Sequence, residues 1–265
     1  MASHKATDGA VMSQDIVTEE LEIDVPGSAQ AMAAFLARPA AAGPHPAVII
    51  CGELYGLNGH IRDIAQRFAR AGYVALAPDF YHRSEKLAHL PYTEAGRQKG
   101  FTLLRQLRRA DAIADVRAAL DHLRRRHDTG PKIGIAGFSF GGHIAYLAAT
   151  QLDLAAIAIL YGGWITNTDI PLSQPEATVS LTSGIAARNG KLLYMVGALD
   201  HAITKEQTDA IEHALQAAGV RHDMVIYPNV KHGFFCDDRD TFDETARDDA
   251  WRRMLALFQE ELRES

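Results

Sequence analysis

The chain has 265 residues, 47% apolar and 23% charged, with a formal net charge of −6. That size and balance fit one ordinary globular core. A net negative chain without a basic stripe argues against nucleic-acid binding, and no run approaches the roughly 18 apolar residues needed to cross a bilayer. Two cysteines, Cys51 and Cys236, form no disulfide framework. No ligand cluster stands at metal spacing, so neither a metal nor an organic cofactor is expected. Residues 1–15 are polar and lack the apolar core of a signal peptide. They are expected to be a disordered tail ahead of a single domain over 16–265, in a cytoplasmic monomer or homodimer acting on a small molecule.

Residues 18–25 and 31–37 read as a hairpin around Pro26-Gly27, and 47–51 as a buried strand. Residues 61–71 are amphipathic and end at Gly72, a helix with a C-terminal glycine, and 73–77 form the next strand before Pro78. Apolar residues at helical spacing, among them Leu103, Leu107, Ile113, Val116, Leu120 and Leu123, predict one helix over 101–126. It closes on Arg124-Arg125-Arg126-His127, cations that complement the helix dipole. Strand 132–136, helix 141–150, strands 155–160 and 192–196, helix 205–218, strand 223–227 and a final helix over 241–262 complete the alternation. This is the pattern of an α/β fold with a largely parallel sheet. Residues 166–183, rich in Thr, Ser and Pro, lack periodicity and are expected to be a long loop near the rim of the site.

Gly137-Phe138-Ser139-Phe140-Gly141 is G-x-S-x-G. As a bare pattern it is weak, since about one chain in ten of this length would carry it by chance. Its setting is more specific: it follows a predicted strand and opens a predicted helix, the context of a nucleophile elbow. Glycines on both sides let strand and helix pack closely, and the Ser139 hydroxyl projects where backbone N–H groups can receive an oxyanion. The plain alternative is a helix N-cap, which does not call for both glycines.

A serine nucleophile needs a base within hydrogen-bond reach, and the chain order for such an elbow is Ser, then Asp or Glu, then His. Of twelve histidines, His232 lies in the stretch after the last predicted strand. His201 is its main rival, and His143 sits on the nucleophile helix. Asp200 stands just past a strand end. Thr204 and Gln207 supply a separate capping box for the next helix, which leaves Asp200 free to orient an imidazole.

Gly137–Gly142, the run 197–200, Lys231-His232-Gly233-Phe234 and Ala77-Pro78-Asp79-Phe80-Tyr81 together resemble the dienelactone hydrolase (carboxymethylenebutenolidase) family of α/β-hydrolases. The similarity runs from about Ile23 to the last helix. It implies a mostly parallel central sheet with an antiparallel N-terminal hairpin, helices on both faces, and hydrolysis of an ester or lactone by Ser139, Asp200 and His232. The segment Cys51-Gly52-Glu53-Leu54-Tyr55 matches the family's stretch after its first central strand. By resemblance, Glu53 lies beside the nucleophile, the N–H groups of Leu54 and Phe140 form the oxyanion hole, and Arg83 binds a substrate carboxylate. Tyr55, Trp164 and Cys236 are candidates to line the pocket.

Two departures stand out. Ser139 occupies the place of the family's usual cysteine, either as a native serine or as a replacement for that cysteine. Cys236 stands where a second carboxylate-binding arginine is expected, with Arg239 close by. A neutral or larger ester or lactone then competes with an anionic one. Two other functions remain open from sequence: a serine peptidase of the acyl-peptide type, and a catalytically silent binding member of the fold.

Overall fold

The computed structural model describes residues 15–263. The expected disordered tail lies outside these residues except for Asp15.

Eight strands form one sheet in the order β1-β2-β4-β3-β5-β6-β7-β8. Strands β1 (Ile16–Ile23) and β2 (Met32–Pro39) make the expected antiparallel hairpin, and β2 pairs antiparallel with β4 (Val74–Pro78). The others, β3 (His45–Cys51), β5 (Thr129–Phe138), β6 (Ala156–Leu160), β7 (Lys191–Gly197) and β8 (Arg221–Tyr227), run parallel. Every residue of β4 and β6 is buried. Their unbroken apolar sequences are those of strands covered on both faces.

Helices α1 (Gly59–Arg70) and α7 (Glu244–Leu262) share one face, where the rings of Phe68 and Phe258 meet at 5.7 Å. Helices α3 (Arg109–Arg125) and α4 (Phe140–Ala149) pack against each other. Side chains alternate along a strand. In β5, Gly134 faces Phe258 of α7 while Gly137 faces Gly141 of α4, which puts α4 and α7 on opposite faces. The remaining helices are α2 (Glu94–Leu104), α5 (Ser183–Ala187) and α6 (Lys205–Ala217). Among the described residues, no helix is long and apolar enough to cross a membrane.

Two sequence expectations change. The predicted helix 101–126 is two helices, broken where Arg108 turns to extended backbone (φ −87°, ψ 153°). Leu103, Leu104, Leu107 and Ile113 are all buried, so the apolar rhythm continues across a break it cannot register. The first helix starts earlier, at Glu94, capped by Thr93, whose hydroxyl accepts from the Gly96 N–H.

Segment 166–183 is less irregular than a plain loop, and none of its residues lines the cavity at Ser139. It folds into two 3-10 turns, Pro171–Ser173 and Thr178–Leu181, running into α5. Arg109 of α3 donates to the carbonyls of Leu172 and Glu176, and His143 of α4 lies 2.7 Å from the Thr178 hydroxyl. Two of its carbonyls and one of its threonines are thus held by side chains remote in sequence, which periodicity cannot show.

His143 is fully buried, and burial, reinforced by the Arg109 charge, holds its pKa down at about 3. An unfolded histidine titrates near 6.5, so between those values the unfolded chain binds the extra proton. This contribution to stability is complete above about pH 6.5 and declines as pH falls toward 3, by up to about 1.4 kcal/mol per pH unit. Urea unfolding at pH 7.5 and pH 4.5 checks this. The stability gap between the two conditions should shrink by more than about 1 kcal/mol in His143→Asn.

Candidate active site

The centre of the site is the junction of β5 and α4. Ser139 is a non-glycine residue at φ 56°, ψ −121°, a left-handed conformation that L-residues rarely adopt. It is held there by its neighbours. A Cβ at Gly137 would lie 2.1 Å from the Gly141 carbonyl oxygen, and one at Gly141 would lie 2.2 Å from that of Cys51. Strand β3, strand β5 and the first turn of α4 therefore meet backbone to backbone, and the chain must reverse within one residue. The Ser139 N–H donates to the Leu160 carbonyl at 3.0 Å. The hydroxyl makes no capping bond to α4, so Ser139 is an N-cap by position only.

Instead, Ser139 Oγ lies 3.0 Å from His232 Nε2, and His232 Nδ1 lies 2.8 Å from Asp200 Oδ2. Asp200 follows β7, and its other oxygen accepts from the Ala202 and Ile203 N–H groups at 2.8 and 3.1 Å. Helix α6 has its own box between Thr204 and Gln207, as the sequence indicated. His232 sits between two left-handed residues, Asn229 (φ 62°) and Gly233 (φ 80°), in the turn after β8. The Leu199 N–H donates to the Val230 carbonyl at 2.9 Å, tying the Asp200 and His232 turns together. All three side chains are buried or nearly so. His201, the rival base, stacks edge-on against His232 with ring centroids 5.7 Å apart and faces the cavity, without a hydrogen bond to Ser139.

These groups open on a cavity of about 100 Å³. Its walls include Leu54, Tyr55, Phe101 and Trp164, with Arg97, Arg239 and Glu53 as the charged members. Among the described residues, the Leu54 N–H has no hydrogen-bond acceptor. Phe140 is the first residue of α4, where an N–H has no intrahelical partner. Trp164 (φ 57°) meets Phe101 of α2 edge to face at 6.3 Å.

Glu53 is 1% exposed. One carboxylate oxygen accepts from the Tyr161 hydroxyl at 3.0 Å and lies 3.6 Å from Arg239 Nη1; the other has no partner among the described residues. Burial depresses the Arg239 pKa, but the Glu53 carboxylate, with Tyr161 and Tyr55, outweighs it, and the net shift is upward. Burial and the Glu53 charge push the Tyr161 hydroxyl well up, so it stays protonated as a donor. The Tyr161 ring also meets His232 edge-on at 5.0 Å. Sequence reading missed Tyr161: at the end of β6 it looks like any core aromatic.

Arg83 and Cys236, expected at the substrate, are placed elsewhere. Arg83 donates to Asp115 at 2.8 Å, lies 3.9 Å from Asp111, and does not line the cavity. Asp115 is a fully buried acid of α3, and its partner could not be read from local sequence. Cys236 is buried behind the wall against Tyr92, and burial followed by the Glu53 charge pushes its thiol up to about 12. Arg97 and Phe101 take up wall positions that sequence reading did not assign. Both lie on α2, the helix whose start was missed.

Only one set of side chains among the described residues approaches metal-ligand spacing: His60, Cys236 and Asp237, with ligand atoms within 4.8 Å of one another. It suits a cation poorly. His60 lies in the first turn of α1, where the helix dipole is positive, and Asp237 is the one carboxylate of the set.

A strand–elbow–helix serine, an acid after a later strand and a histidine after the last, on this sheet order, define an α/β-hydrolase. A model of the dienelactone hydrolase family matches residues 32–262, and the chain belongs to that family. It is 36% identical over 242 residues to a Synechocystis protein named "Putative carboxymethylenebutenolidase", covering 91% of this chain and 96% of that one. An Escherichia coli K12 protein of the same name is 30% identical, with 89% and 85% covered. A crystal structure titled "Putative Dienelactone Hydrolase" from Klebsiella pneumoniae superposes with a TM-score of 0.81 at 30% identity, covering 92% of this chain and 99% of that one.

Gly141→Ala should destabilise the protein by about 3 kcal/mol, because the new methyl meets β3 backbone rather than a movable side chain. Gly59→Ala, with nothing within 4 Å, should change stability by less than about 1 kcal/mol. Denaturant unfolding of the two variants makes the comparison.

Proposed function

We propose that this protein hydrolyses a small ester or lactone through an acyl-Ser139 intermediate. The observation that carries the reading is the unbroken chain from Ser139 Oγ through His232 to Asp200, opening on the cavity. His232 Nε2 takes the Ser139 proton as Oγ attacks the carbonyl carbon. Asp200 holds the Nδ1–H tautomer and stabilises the imidazolium without itself taking the proton. The N–H groups of Leu54 and Phe140 receive the tetrahedral oxyanion. Collapse breaks the C–O bond to the leaving oxygen, which His232 protonates. In a lactone that oxygen stays tethered to the acyl chain. Water, deprotonated by His232, then releases the acid and restores Ser139. Every group comes from one chain, so a monomer carries a complete site. The two free, buried thiols fit a cytoplasmic setting.

The cavity favours an anionic substrate over a neutral one. Arg239 faces it with only Glu53 nearby among the described residues; Arg97 also lines it but is held bidentate by Glu94, and Arg83 is paired with Asp115 away from it. Glu53 offsets part of the Arg239 charge, and a substrate carboxylate would compete with it for the guanidinium. The apolar wall of Leu54, Phe101 and Trp164 accommodates an unsaturated ring. An anionic lactone also agrees with the carboxymethylenebutenolidase name of the relatives.

Ser139→Ala should lower kcat/KM for p-nitrophenyl acetate by at least about 10³-fold and abolish fluorophosphonate labelling. Labelling that survives the substitution would sink the mechanism. Arg239→Gln should raise KM for a carboxylate-bearing lactone by about tenfold while leaving a neutral lactone within about threefold. Equal losses on both lactones would remove the anionic preference.

A further inference from the structure

Tyr81 follows β4 and is 2% exposed, yet the reaction above makes no use of its hydroxyl. That hydroxyl donates to the Leu54 carbonyl oxygen at 3.2 Å. The ring lies flat on Phe140, with centroids 5.6 Å apart and planes within 11°. Leu54 and Phe140 carry the two N–H groups assigned to the oxyanion. They belong to different parts of the chain, one after β3 and the other at the head of α4, and Tyr81 touches both.

We infer that Tyr81 is a positioning residue that sets the spacing of the two oxyanion donors, an inference that rests on the acyl-Ser139 reading. Leu54 is the donor that needs such support. It lies in a turn outside any strand or helix, so no ladder of hydrogen bonds fixes its dihedrals. Its carbonyl is constrained from two sides. Tyr81 donates to it, and α2 crowds it, since a Cβ at Gly100 would lie 2.7 Å from the Leu54 oxygen. Fixing that carbonyl limits rotation about the Leu54 Cα, and with it the direction of the N–H on the preceding peptide. Phe140 needs less help, being the first residue of a helix locked by the Gly141 contact.

Tyr81 is itself held firmly. Its N–H donates to Asp79 Oδ1 at 3.0 Å, the other Asp79 oxygen accepts from the Leu87 N–H, and the Asp79 N–H donates to Ala33 of β2 at 2.9 Å. The strut is therefore referenced to the sheet rather than to a mobile surface. Burial pushes the phenol well above its ordinary pKa, so it remains a donor across the working pH range. A phenylalanine would fill the same space and keep the stack on Phe140. What the hydroxyl adds is the hold on Leu54. Oxyanion donors act only when placed within about 0.5 Å of the productive geometry.

Tyr81→Phe and Tyr81→Leu, assayed beside Ser139→Ala, test the inference. Losing one oxyanion donor outright costs about 10²–10³ in kcat, and a loosened donor should cost part of that. Tyr81→Phe should lower kcat by about tenfold with KM within about twofold, and slow fluorophosphonate inactivation by the same factor. Tyr81→Leu, which also removes the stack on Phe140, should lower kcat further with KM still nearly unchanged. A Tyr81→Phe kcat within about twofold of the parent overturns the inference, as does a loss in both variants carried mainly by KM. If Ser139→Ala retains turnover, the acyl-Ser139 reading fails instead, so the two failures are distinguishable.

Discussion

Backbone meets backbone at Gly137 and Gly141, and much of the site's geometry follows from that contact. With no Cβ at either position, β5 and α4 approach closely enough that the connection between them is one residue long. That residue, Ser139, must take a left-handed conformation, which turns its hydroxyl away from the helix it would otherwise cap. The same approach puts the first N–H of α4 beside the turn after β3. A strained serine, a nearby helix N-terminus and a neighbouring turn are thus consequences of one steric condition.

The chemistry around that point is arranged by charge. Asp200 spreads its hydrogen bonds over His232 and two backbone N–H groups, so its carboxylate is satisfied without a cation beside it. Glu53 differs. It is buried, bonded to a tyrosine, 3.6 Å from an arginine, and has one oxygen without a partner among the described residues. A buried carboxylate in that state is costly unless its arginine stays close. The Glu53–Arg239 pair therefore links the occupancy of the cavity to the electrostatics next to the nucleophile. Cys236, in the place of an expected arginine, withdraws behind the wall, and Arg239 faces the cavity with Arg97. A cation is thus kept at the cavity, supplied from different positions in the chain.

The scaffold was largely legible from sequence because its signals are local. The hairpin at Pro26-Gly27, the apolar strands and the helices flanking them each announce themselves within about ten residues. The elbow was legible for the same reason, being a pentapeptide between a strand and a helix. The expectations that moved depend on partners far away in the chain. The break between α2 and α3 is invisible to periodicity, since both helices turn the same kind of face to the core. Segment 166–183 looked irregular because its turns are short and are held by Arg109 at two carbonyls and by His143 at a threonine, neither of them near it in sequence. Arg83 was expected at a substrate carboxylate, while its fate was decided by Asp115 of α3, 32 residues away in the chain.

By itself, then, the sequence determined the alternation of strands and helices and the elbow, because each follows from steric and apolar patterns carried by neighbouring residues; the layering and the choice of acid and histidine came with the resemblance and the chain order an elbow implies. Tertiary structure alone decided which charges face the cavity. Whether an arginine is free or paired depends on which side chain lies within about 4 Å of it, and packing sets that distance without regard to separation along the chain. It also decided that Tyr81 bridges Leu54 and Phe140, a contact between three segments that no local pattern encodes.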